Sequence, residues 1–117
     1  MKITQEKAKE DLEKVLERFG TVGPGSEMDR AAQMILQMLS VAKNRLDPEL
    51  ARMIYVDNEE AKKMLPEMVL ELMTQYADGK INETEVKKTL SQLEEEYKRA
   101  FNQMGYKPQT SYALAIR

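Results

Sequence analysis

Apolar residues along this chain recur at helical spacing, and no stretch alternates in the period-two pattern of a half-buried strand. From Thr4, a candidate N-cap, to Phe19, residues Ala8, Leu12, Val15, Leu16 and Phe19 form a stripe roughly 100° wide, the width of a helix with one buried face. Residues 28–46 differ: Met28, Ala31, Ala32, Met34, Ile35, Leu36, Met38, Leu39, Val41, Ala42 and Leu46 cover an arc of roughly 220°. A helix so broadly apolar is either the buried centre of a bundle or keeps part of its arc for a partner.

Asp47-Pro48-Glu49 opens a third helix with an acidic cap and proline at the first helical position, where its missing N–H costs nothing. Leu50, Met53, Ile54, Tyr55 and Val56 crowd the circumference of this short helix, so it is expected to be wedged between neighbours or exposed as a contact surface. Asp57 and Glu60 resemble a capping box for a fourth helix, whose main face carries Ala61, Met64, Leu65, Met68, Val69, Leu72, Met73 and Tyr76. Pro66 lies inside that stretch and predicts a kink or split near residues 63–65. Asp78-Gly79-Lys80 ends the fourth helix, and Asn82 with Glu85 caps the fifth, where Val86, Leu90, Leu93, Tyr97, Ala100, Phe101 and Met104 make a narrow seam.

The expected fold is all-α: a compact bundle of five helices near 4–19, 27–45, 48–56, 58–77 and 82–104. The helix at 28–46 and part of the fourth are expected at its centre, with the first and last outside. Residues 1–104 are read as one domain and 105–117 as a C-terminal tail, docked or partner-binding. At 117 residues the chain is too short to expect two independent cores.

Charge narrows the function. Lys plus Arg number 18 against 20 Asp plus Glu, without the electropositive footprint that holds phosphate backbones or anionic lipid. Neither nucleic acid nor membrane is an expected partner. A helix-turn-helix reading of 28–56 fails for the same reason, since its second helix would bring Glu49 and a lone Arg52. The acidic bias sits in residues 47–80, where eight carboxylates face four bases, a net −4.

With no Cys and no His, thiol chemistry, imidazole catalysis and the usual zinc sites have no ligands or nucleophiles. The glycine-rich stretch 20–26 lacks the Lys-Ser/Thr of a phosphate-binding loop and follows a helix rather than a strand. Carboxylates such as Glu94, Glu95 and Glu96 lie among Lys and Arg on predicted solvated faces. No catalytic residue, metal ligand, cofactor or small-molecule substrate is assigned, and an enzyme is not expected. Lys2, Glu6, Lys7 and Lys9 occupy the place of a secretory apolar region, so the expected location is cytoplasmic.

Residues 74–85 resemble an EF-hand or dockerin calcium loop in Gly79, Ile81 and Glu85. The resemblance implies a calcium-responsive helix pair, although Thr74 and Tyr76 stand where the first acidic ligands belong. Only Asp78, Asn82 and Glu85 match, and a helix end followed by a helix cap accounts for the same residues.

Nine methionines remain, a residue type that fills irregular cores and also populates adaptable binding surfaces. The leading expectation is therefore a non-enzymatic protein-interaction module of adaptor, inhibitor or assembly-chaperone type. Its candidate contact residues are Met53, Tyr55, Met64, Met68, Tyr106, Tyr112, Leu114 and Ile116. The alternative is a homo-oligomer whose surplus apolar arc on 28–46 is covered by its own copy.

Overall fold

A computed structural model describes residues 3–18, 26–44 and 46–104. The described chain forms α1 (Gln5–Glu17), α2 (Ser26–Asn44), α3 (Pro48–Ala51), a π-helical turn (Arg52–Val56), α4 (Glu59–Met64), α5 (Glu67–Ala77) and α6 (Glu83–Gln103). The bundle is all-α, and among the described residues no helix is long and apolar enough to cross a membrane.

Local chemistry sets most helix ends. Thr4 Oγ1 accepts from the Lys7 N–H, Asp47 Oδ1 from that of Leu50, and Asn82 Oδ1 from that of Glu85, each satisfying a backbone donor with no partner inside its helix. The fourth helix starts one residue later than the Asp57/Glu60 pattern suggests. Asn58 is its cap, accepting from Glu60 and Ala61, because the Asp57 N–H is already committed to the carbonyl of Arg52 five residues back. That five-residue bond closes the widened π turn.

Proline splits the expected fourth helix in two. Leu65 is extended (φ −109°, ψ 150°), as a residue before proline prefers, and Pro66 stands at the start of α5 with no side chain able to cap it. At the far end of α5, Gly79 adopts φ 76°, the left-handed conformation that costs glycine least. Lys80 N–H then bonds Gln75 O at 2.9 Å and Gly79 N–H bonds Tyr76 O at 3.0 Å, the paired bonds of a Schellman cap.

The centre of the bundle is α6, which packs against α1, α2 and α5. This corrects the expectation that α6 lies outside and α2 at the centre. Val86, Leu90, Leu93, Tyr97, Ala100 and Phe101 are all fully buried, so a narrow seam along the longest helix serves three neighbours. The other faces of α6 stay polar. By contrast α2 packs chiefly on α6 and leaves Met34 and Val41 exposed, so its wide arc exceeds what the core covers. Lys43 on α2 also pairs with Glu94 on α6.

The segment formed by α3 and the π turn lies on α5. Ala51 and Tyr55 point inward, and Tyr76 donates from its hydroxyl to the Leu46 carbonyl at 3.3 Å, tying the start of this segment to the end of α5.

Candidate functional site

Besides the exposed Met34 and Val41 of α2, two places depart from the rule of apolar inside and charged outside, and such departures are what identify special positions. The first is Asp11. It sits on the buried stripe of α1, between Ala8 and Leu12, and is the one buried charged residue among those described. Its Oδ1 accepts from the Glu67 N–H at 2.8 Å, and its Oδ2 accepts from the Met68 N–H at 3.0 Å and from the Tyr97 hydroxyl at 2.8 Å.

Asp11 is therefore a cap supplied across the fold. Pro66 breaks the helix and leaves the first N–H groups of α5 facing α1 without a local acceptor, and unpaired buried donors are costly. The carboxylate also lies where a helix N-terminus favours negative charge. Burial, together with the adjoining carboxylate, pushes the Tyr97 hydroxyl well above the ordinary tyrosine value, so it stays a donor. The cleft over Asp11 is rimmed by Lys7, Glu10, Lys14, Glu67 and Glu71, charges of both signs. With both its oxygens engaged by fixed donors, this carboxylate joins α1, α5 and α6.

The second departure is the surface of the π turn. Met53 is 63% exposed and Ile54 39%, adjacent large apolar side chains facing solvent. Beside them an open groove of about 410 Å³ is lined by Pro48, Glu49, Arg52, Met53, Asp57 and Ala77. Glu49, Met53 and Asp57 recur at four-residue intervals, which brings them along one side of a helix that widens through a π turn. Arg52 reaches across to Asp78 at 2.6 Å, an ion pair between α5's end and the π turn.

The sequence-assigned contact residues divide. Met53 is on this surface. Tyr55, only 5% exposed, and Met68, 9%, are core residues that present nothing to a partner: Tyr55 lies on the inner side of the same turn, and Met68 opens α5 beneath Asp11. Met64 is half-buried at the end of α4. Tyr106, Tyr112, Leu114 and Ile116 lie outside the described residues.

Ile54, Met34 and Val41 join Met53 as the exposed large apolar side chains among the described residues. Their signal was available: Ile54 is one of too many apolar residues on a short helix, and Met34 and Val41 lie in the surplus arc of 28–46. Asp11 carried a signal too, a charge at a stripe position.

Three of the oxygen-bearing side chains of the calcium-like loop have other work. Asp78 pairs with Arg52, Asn82 caps α6, and Thr74 donates from its hydroxyl to the Leu70 carbonyl at 2.8 Å inside α5. Among the described residues no group of three acidic side chains is gathered for a metal ion. Compared with protein-family models, curated proteins and solved structures, the chain matches none of them.

Proposed function

We propose that this chain is a non-enzymatic, cytoplasmic protein-interaction module that docks another protein on the Met53–Ile54 surface. The observation that carries this reading is the adjacent exposure of two large apolar side chains on a turn otherwise fixed by caps, core contacts and an ion pair. Exposed apolar side chains clustered within a polar rim are a common feature of docking sites. Met53 suits the task because an unbranched thioether adapts its shape to what covers it.

A second reading, a homo-oligomer, is favoured by a different observation. Met34 and Val41 are exposed seven residues apart on one side of α2, with half-buried Met38 between them. That stripe offers an apolar surface for a second copy.

Native mass spectrometry of the protein gently purified from its source tests both readings, with Met53→Glu and Val41→Glu run alongside. A heavier species that Met53→Glu abolishes and Val41→Glu leaves intact supports docking of another protein. An integer multiple of the 13.5 kDa chain that only Val41→Glu abolishes supports the homo-oligomer. Indifference to both variants contradicts both.

A further inference from the structure

The groove beside Met53 has a chemical character of its own. Pro48, Met53 and Ala77 give it an apolar lining, while Glu49 and Asp57 bring carboxylates to it. Neither carboxylate is paired with a base among the described residues, since the one guanidinium present, that of Arg52, is committed to Asp78. Glu49, Asp57 and Asp78 against Arg52 leave a net −2 at the groove. The wider surface agrees in sign: from 47 to 60, Asp47, Glu49, Asp57, Glu59 and Glu60 are all exposed, with Arg52 the one base among them and Lys62 just beyond pairing with Glu59.

Few side chains suit apolar walls with a carboxylate edge. Lys and Arg do, because their methylene stems lie along apolar surface while the charged head reaches a carboxylate. The same field repels phosphate-bearing partners such as nucleic acid or anionic membrane. Resting on the docking reading above, we infer that the partner is a protein presenting a cationic amphipathic helix. One of its Lys or Arg side chains enters the groove along Met53 towards Glu49 and Asp57, and its apolar face covers Met53 and Ile54. Helix-in-groove recognition of this kind takes its affinity from apolar anchors and its choice of partner from flanking charge.

The test is a titration of the full chain, followed by backbone amide NMR, with two synthetic amphipathic helices of matched length, one built from Leu and Lys and the other from Leu and Glu. The Leu/Lys peptide is expected to shift the amides of residues 49–57 and 77–78, and the Leu/Glu peptide to leave them in place. The double variant Glu49→Gln/Asp57→Asn should weaken Leu/Lys binding roughly tenfold, and salt should erase that difference. Both substitutions are isosteric and exposed, and the variant's own spectrum reports that it is folded.

Equal binding of both peptides at residues 49–57 overturns the cationic inference while leaving the docking surface in place. Shifts elsewhere, or none, also overturn the inference. The docking reading itself fails separately, if Met53→Glu leaves every native complex of the protein intact.

Discussion

Asp11 and Met53 break the same rule in opposite directions, and the difference lies in what each has for neighbours. Asp11 is a charge inside the protein, but two backbone N–H groups and the Tyr97 hydroxyl satisfy it. Its surroundings explain it completely, and it is there for the fold. Met53 is an apolar side chain in water beside Glu49 and Asp57, carboxylates with no base of their own among the described residues. Nothing within the described chain explains it, so its explanation is sought in a partner. An exception that the fold satisfies is structural, and an exception that the fold leaves open is a candidate site.

The sharpest way to break that contrast is to truncate each exception and compare the costs. Asp11→Ala removes the cap of α5 and leaves the Tyr97 hydroxyl without an acceptor; it should destabilise the protein by about 3 kcal/mol in chemical denaturation. Asp11→Asn keeps the shape but turns an amide group towards fixed donors, and should cost nearly as much. Tyr97→Phe deletes one bond to a buried carboxylate and should cost roughly 1.5 kcal/mol.

The Tyr97 pair also sharpens the comparison through pH. Burial raises the Tyr97 pKa in the folded protein, whereas the unfolded chain ionises it near the ordinary value of about 10. Below that value the folded and unfolded states hold the same proton, and its contribution to stability is fully present. As pH rises through about 10 the unfolded state loses the proton first, so stability falls. Tyr97→Phe should show a shallower decline above pH ~10 when both proteins are unfolded at a series of alkaline pH values.

At the open exception the stability changes should be small. Met53→Lys places a solvated side chain at an already solvated position and should shift stability by no more than about 0.5 kcal/mol. Arg52→Ala removes an exposed ion pair and should cost under about 1 kcal/mol by the same denaturation assay. If Met53→Lys proves as damaging as Asp11→Ala, the π turn is part of the core and the contrast collapses.

The sequence revealed the elements more fully than their arrangement. Helix ends depend on residues a few positions apart, so Thr4, Asp47, Asn82 and the Asp78-Gly79-Lys80 stop could be read directly. Pro66 announced its own break. What answered the break was not legible, because the acceptor for α5 comes from Asp11, more than fifty residues earlier in the chain. The width of the apolar arc on α2 was legible but misread as centrality. Burial is decided by how many neighbours a seam serves, and the narrow, large-residue seam of α6 serves three. Of the candidate contact residues, Met53 and Tyr55 were indistinguishable in sequence, since a crowded short helix does not say which two of its residues face inward. The π turn settles it by turning Tyr55 to the core and Met53 to solvent.

Methionine oxidation footprinting most directly tests whether Met53 is an unsatisfied surface, by comparing the protein in its source extract with the dilute purified chain. Among the described residues Met53 is the most exposed of the large apolar side chains, Met34 is exposed on another helix, and Met73 is fully buried, so one experiment holds its own controls. The account predicts that Met53 oxidises rapidly in the purified chain and is protected in the extract, while Met73 stays unreactive in both. Equal reactivity of Met53 in the two samples, with Met34 protected instead, would contradict it and move the binding surface to α2.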